Sequence, residues 1–294
     1  MKIIDPHHHL WDRSKISYPW LEEEEKTAFF GSYAPLDRNY LIDDYIADTH
    51  KQDLEASVHL QAECDHQNPV AETRWLSKLS DEHGLPTAIV AYADFSHDGI
   101  RAVLEQHCEF ERVRGIRQIL NYHDDPALSY TDANLLEDEK WLANFGLLSR
   151  FGLSFDMQIY YQQMDQAVAL AAANSDTQLI LNHTGMPVER DEAGIIGWRH
   201  GMRALATCDN VAVKISGLGM TDPEWTTESI RPFVLETIEL FDIGRCMFAS
   251  NFPVDSLFSD YDTLYRAFRD ITSDFSDAER SRLFRDNAAH YYRL

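Results

Sequence analysis

The stretch DPHHHLW at residues 5–11 stands at the end of the chain's first strand-like run, KIID at residues 2–5. Successive side chains of a strand point to opposite faces, so His7 and His9 share one face and His8 points to the other. Two imidazoles on one face at a strand end suit a divalent metal ion. The stretch therefore predicts a catalytic or metal site here, with His8 packed behind the strand.

Seven further apolar or β-branched runs follow, and segments of helical period separate most of them. The predicted strands span residues 2–5, 56–63, 87–94, 113–120, 153–160, 177–183, 211–217 and 246–252. The clearest helical patterns span residues 69–84, 164–175 and 223–241. Such alternation indicates parallel βα units. Eight units without a linker, charge block or repeat predict one α/β domain over residues 1–294, a distorted (β/α)8 TIM barrel. A doubly wound open sheet is the alternative.

Two connections are longer than the others, at residues 10–40 after the first strand and at residues 121–137 after the fourth. In a barrel of this kind, the loops that follow the strands lie at the C-terminal rim and build the active site. We therefore expect these two long loops to shape a substrate pocket.

The composition excludes several classes of partner. The chain has 26 Lys and Arg against 49 Asp and Glu, a formal charge of -23 that repels nucleic acids and anionic membranes. No apolar run is long enough to cross a bilayer. Four scattered cysteines without a CxxC pair, and a start without a signal-peptide pattern, favour a cytoplasmic protein. The sequence leaves a homo-oligomer open.

Two more strand ends supply candidates for catalysis. His183 ends the sixth strand in LNHTG at residues 181–185, and three histidines at strand ends can hold a metal or move protons. The eighth strand runs into FASNFPVD at residues 248–255. A carboxylate there would be the natural base for a water molecule, but Asn251 cannot act as a base, so Asp255 is the candidate carboxylate.

The remaining candidates would bind substrate. Arg114 and Arg117 have opposite parity on the fourth strand, and Arg117, nearer its C-terminal end, is expected to face the interior and bind an anion such as a substrate carboxylate. Trp11, with Tyr18 and Trp20, can form an apolar wall for a ring-shaped substrate. The predicted substrate-binding residues are Trp11, Gln61, Glu63, Arg117, Gln158 and Tyr160.

Six segments together resemble the amidohydrolase superfamily, in particular the branch of sugar-acid lactonases and the pyrone dicarboxylate lactonase. They are IDPHHHLWD (4–12), VHLQAECD (58–65), VRGIRQIL (113–120), LNHTGMP (181–187), FASNFPVD (248–255) and LFRDNAAHYYRL (283–294). The resemblance implies hydrolysis of a small lactone in carbohydrate metabolism. It places His7, His9 and His183 at the family's histidine positions, as ligands of one zinc or manganese ion or as direct polarisers of the carbonyl without a metal.

Three departures from the family pattern bear on mechanism. No lysine ends the fourth strand to bridge two metals, Gln158 stands where many relatives have histidine, and Asn251 stands where relatives have the aspartate that activates water. Two alternatives therefore stay open. One is a metal-dependent decarboxylase of a small aromatic or muconate-type acid, and the other is a barrel that binds such ligands without catalysis.

Overall fold

Eight parallel strands form one sheet whose order in space is their order along the chain. The computed structural model describes all residues 1–294. The strands are β1 (Ile3–His8), β2 (Leu54–Leu60), β3 (Ala88–Tyr92), β4 (Val113–Ile119), β5 (Ser154–Gln158), β6 (Leu179–Leu181), β7 (Val211–Ile215) and β8 (Cys246–Phe248). All eight predicted strands are present, and the predicted single barrel is confirmed.

Helices follow the strands and cover the outside of the sheet. The longer ones are α1 (Ile42–Thr49), α2 (Val70–His83), α3 (Ile100–Cys108), α4 (Met164–Ala173), α5 (Glu192–Ala206), α6 (Thr227–Phe241) and α7 (Tyr261–Ile271). Shorter helices lie at Glu139–Phe145, Leu147–Phe151, Asp277–Ser281 and Asn287–Tyr292. The three helical patterns in the sequence correspond to α2, α4 and α6. Gly84 ends α2 in the left-handed conformation that glycine adopts without strain.

The first and last strands meet at a seam that closes the barrel. The backbone N–H of His9 donates to the Phe252 carbonyl at 2.7 Å, and that of Asn251 donates to the His7 carbonyl at 2.8 Å. The buried Asp5 carboxylate accepts hydrogen bonds from the Ser250 backbone N–H and hydroxyl. β1 runs on to His8, beyond the predicted end at residue 5. These backbone hydrogen bonds at His7 and His9 therefore fix the position of the histidine stretch at the seam.

Apolar side chains fill both sides of the sheet. The larger core cluster packs the helices against the strands. A smaller cluster joins residues of β1, β2, β3, β6, β7 and β8, and the C-terminal helix packs Ala288 and Tyr292 onto it. The polar side chains discussed below lie among these apolar residues, so each needs a partner inside the protein.

The two long predicted loops follow β1 and β4, as expected. The first includes a small hairpin at residues 27–32 before α1, and the second contains Tyr130. Phe30 of the hairpin and Tyr130 both line the cavity described next. None of the helices has the length and apolar composition needed to span a membrane.

Candidate active site

A cavity of about 130 Å³ lies where the C-terminal ends of the strands meet the two long loops. Eight of its fourteen lining residues are hydrophobic. The lining residues are His9, Trp11, Trp20, Phe30, Ala62, Glu63, Arg117, Ile119, Tyr130, Gln158, His183, Met220, Asn251 and Val254. The cavity therefore combines an apolar wall with a small set of polar groups, which is typical of a small-molecule site.

The three predicted histidines form one cluster beside this cavity. The ring centre of His7 lies 5.0 Å from that of His9 and 4.5 Å from that of His183. His9 and His183 line the cavity, while His7 lies fully buried between them and the barrel interior. Burial lowers the pKa of all three rings well below the ordinary value for histidine, so they are neutral at pH 7.

Each ring is held through its Nδ1 atom. His9 Nδ1 lies 2.8 Å from the Leu60 carbonyl oxygen, and His183 Nδ1 lies 3.1 Å from the Ser216 hydroxyl. A Cβ atom at Gly217 would lie 2.6 Å from His183 Nδ1, so this position requires glycine. His7 Nδ1 lies 3.5 Å from the Lys214 Nζ, and its Nε2 is buried without a partner. The Nε2 atoms are therefore the groups left for chemistry.

Lys214, on β7, is a candidate functional residue that the sequence pattern does not reveal. Its Nζ lies 2.6 Å from Asp156 Oδ1, and neither side chain is exposed to solvent. Asp156 also accepts hydrogen bonds from Tyr292 and Asn182. Burial lowers the pKa of Lys214 to about 8, with Asp156 opposing that shift, so the ammonium form persists at neutral pH. In the sequence Lys214 stands in an ordinary strand run, so only the distance to His7 reveals it.

The two charged groups on the cavity wall have opposite sign. Burial lowers the pKa of Arg117, while attraction to Glu63 is the largest effect that opposes this shift. Arg117 donates to the Gln61 carbonyl at 2.7 Å and to Gln158 Oε1 at 3.4 Å. Burial alone would raise the pKa of Glu63, but hydrogen bonds from His66 and Gln61 and the charge of Arg117 bring it below the ordinary value. The cavity therefore carries one positive and one negative charge.

Asn251 separates Asp255 from the cavity. Asn251 lines the cavity and donates from Nδ2 to Asp255 Oδ1 at 3.1 Å. Asp255 is buried and is not among the lining residues, and burial raises its pKa to about 7. The carboxylate predicted to act as the base thus lies behind the amide, because the turn after β8 directs Asn251 and not Asp255 to the cavity.

An Asp255→Asn variant is expected to gain stability relative to the parent as the pH rises. The folded-state pKa of Asp255 lies above its unfolded value, so its protonated form stabilises the fold below about pH 4 and this contribution is lost as the pH rises through about 7. The difference in the free energy of unfolding between the variant and the parent should grow from pH 4 to pH 7 and reach a few kcal/mol. Urea unfolding at pH 4, 5.5, 7 and 8 measures it, and a difference independent of pH would contradict the prediction.

Several strand ends adopt backbone angles that are unusual for residues other than glycine. Glu63, His183, Thr184 and Asn251 have φ values of 56°, 55°, 57° and 58°. Such angles cost free energy and tend to occur at functional sites. Three of these four residues line the cavity. The strain therefore lies where β2, β6 and β8 present polar side chains to a ligand.

Most of the predicted substrate-binding residues are brought together. Trp11, Glu63, Arg117 and Gln158 line the cavity, and Arg114 lies on the outer side of β4, where its Nε donates to the Arg293 carbonyl. Gln61 is buried behind the cavity and donates to Glu63. Tyr160, which follows the end of β5, does not line the cavity, and its hydroxyl donates to the Leu128 carbonyl at 2.8 Å. His8 stacks on Tyr45 at 4.0 Å, behind the strand as expected.

The histidine cluster does not fit a metal ion in this arrangement. Lys214 Nζ lies 3.5 Å from His7 Nδ1, and a hydrogen bond from the ammonium to this atom places the ring hydrogen on Nε2, a tautomer in which Nε2 has no lone pair for a metal. No group of three or more His, Cys, Asp or Glu side chains is arranged to hold an ion. The positive charges of Arg117 and Lys214 also lower the pKa of the His7 and His183 rings. The remaining donors, His9 and His183, fall short of the usual three protein ligands.

The sequence model of the amidohydrolase family matches residues 4–294. The chain belongs to the amidohydrolase family. This match, together with the lactonase relative given in the next paragraph, confirms the resemblance to the amidohydrolase superfamily and its lactonase branch, and with it a hydrolytic enzyme. Within this amidohydrolase, two histidines of the matched region, His9 and His183, line the cavity.

Three relatives of this amidohydrolase cover nearly the whole chain. It is 48% identical to the uncharacterized protein y4mH of Sinorhizobium fredii, over 99% of this chain and 98% of that one. It is 29% identical to an L-fucono-1,5-lactonase of Burkholderia multivorans, over 99% of this chain and 96% of that one. A crystal structure of an amidohydrolase from Burkholderia multivorans with bound zinc matches with a TM-score of 0.81 at 26% identity, covering 100% of both chains.

Proposed function

We propose that this amidohydrolase opens the ring of a small, uncharged sugar lactone by attack of water on the ester carbonyl. The observation that carries this proposal is that Arg117 and Glu63, which have opposite charge, line the same cavity. A substrate carboxylate near Arg117 would also be brought near the carboxylate of Glu63. The sequence suggested that Arg117 binds a substrate carboxylate, and the presence of Glu63 argues against that role.

The size and lining of the cavity support a sugar lactone. A cavity needs roughly 10–15 Å³ for each group of the size of a water molecule. A volume of about 130 Å³ therefore admits a molecule of roughly ten non-hydrogen atoms. Trp11, Trp20, Phe30 and Tyr130 offer an apolar wall to the C–H face of a ring. Glu63, Arg117 and Gln158 can exchange hydrogen bonds with ring hydroxyls. A relative named for L-fucono-1,5-lactone is consistent with this class, which belongs to carbohydrate metabolism.

The reaction would take place at the histidine cluster. Water attacks the lactone carbonyl, and the negative charge that develops on the carbonyl oxygen is stabilised by nearby N–H groups in a site that excludes bulk water. Because the donor set does not fit a metal ion, the imidazoles themselves are proposed to polarise the carbonyl. The bound zinc belongs to the relative from Burkholderia multivorans and is not carried over to this chain.

The test is a panel of lactones, with protein purified without a histidine tag. We expect hydrolysis of neutral aldono-1,4- and aldono-1,5-lactones, measured as proton release with a pH indicator. The activity should survive prolonged chelation and show no dependence on metal content. Release of carbon dioxide from an aromatic or muconate-type acid would favour the decarboxylase instead. Saturable binding without turnover across the panel would favour a non-catalytic barrel.

A Glu63→Gln variant is expected to shift the preference toward anionic substrates. Removing the carboxylate leaves the charge of Arg117 unbalanced in the cavity, so kcat/KM for a neutral lactone should fall by roughly tenfold while binding of a carboxylated lactone improves. The ratio of kcat/KM values for a neutral aldonolactone and 2-pyrone-4,6-dicarboxylate measures the shift. Glu82→Gln, an exposed position on α2, is the matched control. A wild-type enzyme that prefers the dicarboxylate would contradict the proposed substrate class.

A further inference from the structure

We propose that His7 and His9 are held in opposite tautomers, so that His9 accepts the proton of the attacking water while His7 donates a hydrogen bond to the lactone carbonyl. We further propose that Lys214 is the positioning residue that sets the tautomer of His7. The chemical roles rest on the proposed lactone hydrolysis, whereas the tautomers rest on contacts within the protein alone.

The tautomer of His9 follows from its partner. Its Nδ1 lies 2.8 Å from the Leu60 carbonyl oxygen, which can only accept a hydrogen bond. The neutral ring therefore carries its hydrogen on Nδ1 and has a free electron pair on Nε2. His9 lines the cavity. A neutral imidazole nitrogen with a free electron pair beside the substrate is a suitable general base.

The tautomer of His7 follows from a partner of the opposite kind. Lys214 is held as an ammonium by its contact with Asp156 at 2.6 Å, and an ammonium can only donate. Its neighbour at 3.5 Å, His7 Nδ1, must therefore accept, which places the hydrogen of His7 on Nε2. That N–H is buried and has no partner in the protein. A buried donor without a partner is costly. His7 does not itself line the cavity, but its ring centre lies 5.0 Å and 4.5 Å from those of His9 and His183, which do, so a substrate carbonyl oxygen inserted between these two rings would satisfy the donor.

The carboxylates of the region do not offer an alternative base. Asp255 lies behind Asn251, which donates to it. Glu63 accepts hydrogen bonds from Gln61 and from His66 at 3.1 Å and offsets the charge of Arg117. Asn251 lines the cavity, but its side chain is an amide and cannot accept a proton at pH 7. The lone pair of His9 is therefore the base that this cavity offers.

The steps balance as ordinary ester hydrolysis. His9 Nε2 takes a proton from water as the water oxygen bonds to the carbonyl carbon, and the carbonyl electron pair moves to the oxygen bound by the His7 Nε2–H. The intermediate then collapses, the bond from carbon to the ring oxygen breaks, and the leaving oxygen takes the proton from His9. The product is the open hydroxy acid, which releases its carboxyl proton to solvent.

The experiment is a long-range ¹H–¹⁵N correlation spectrum of the full chain labelled with ¹⁵N-histidine, at pH 7 and without substrate. The signals are assigned by comparison with His7→Gln and His9→Gln variants. We expect a protonated Nε2 for His7 and a protonated Nδ1 for His9, unchanged on addition of zinc. The same tautomer in both rings, or a zinc-dependent shift of His7 Nε2, would overturn the proposal even if lactonase activity is present.

A Lys214→Met variant tests the positioning role. It should change the tautomer signals of His7 while leaving those of His9 as in the parent, and it should lower kcat by 10-fold to 100-fold with little change in KM. Lys78→Met, on the exposed face of α2, should alter neither. A parent-like His7 tautomer in Lys214→Met would overturn the role of Lys214. If that variant does not fold, the spectrum of the unaltered protein still decides between the tautomers. Correct tautomers without any lactone turnover would instead refute the proposed function.

Discussion

A His9→Gln variant is expected to lose about 10²–10⁴-fold in kcat for its best neutral lactone while still folding. Glutamine is close to histidine in volume and its amide can still donate to the Leu60 carbonyl, so the local packing is preserved. An amide, however, has no nitrogen lone pair able to accept a proton at pH 7. The loss should therefore appear in kcat far more than in KM. Steady-state kinetics together with a thermal unfolding curve provide the measurement.

The control for this variant is His200→Gln, which replaces an exposed histidine on α5 away from the cavity. It should match the parent in both kinetics and unfolding temperature. If His9→Gln kept kcat within threefold of the parent, His9 would not be the base. If it lost activity because it unfolded, the tautomer spectrum of the parent would still test the assignment.

An Asp156→Asn variant is expected to destabilise the fold strongly. It leaves the buried ammonium of Lys214 without its counter-ion, and breaking one partner of a buried ion pair costs roughly 3–5 kcal/mol. For a chain of this size the unfolding temperature should fall by roughly 10 °C. The free energy of unfolding from urea titration gives the same quantity independently. The variant should also disturb His7, because Lys214 no longer has to stay charged.

The matched control is Glu236→Gln, which breaks an ion pair with Arg199 near the surface. Ion pairs in contact with solvent contribute at most about 1 kcal/mol, so this variant should unfold close to the parent. If the two substitutions lowered the free energy of unfolding equally, the buried ion pair of Lys214 and Asp156 would contribute no more to stability than the surface pair. A larger effect of Asp156→Asn supports the chain of contacts from Asp156 through Lys214 to His7.

The sequence determined the fold and the strand ends at which the candidate site lies. Alternating apolar runs and helical patterns predicted all eight strands, because burial on one or both faces of a sheet leaves a period that a single sequence displays. The alternation of side chains along a strand separated His7 and His9 from His8, and Arg117 from Arg114. The same alternation failed at Tyr160, because it lies beyond the end of β5 at Gln158, where the alternation no longer applies.

Only the tertiary structure decided which groups the side chains of the candidate site contact. The distance of 3.5 Å between Lys214 and His7 joins residues separated by 207 positions, and nothing in either local sequence signals it. The presence of Arg117 and Glu63 on one cavity wall and the placement of Asn251 in front of Asp255 likewise arise from strands and loops that meet at the barrel rim. Sequence periodicity records which face of an element is buried. The charge, tautomer and reactivity of a buried group depend on what lies opposite it, and that is fixed only when the barrel closes.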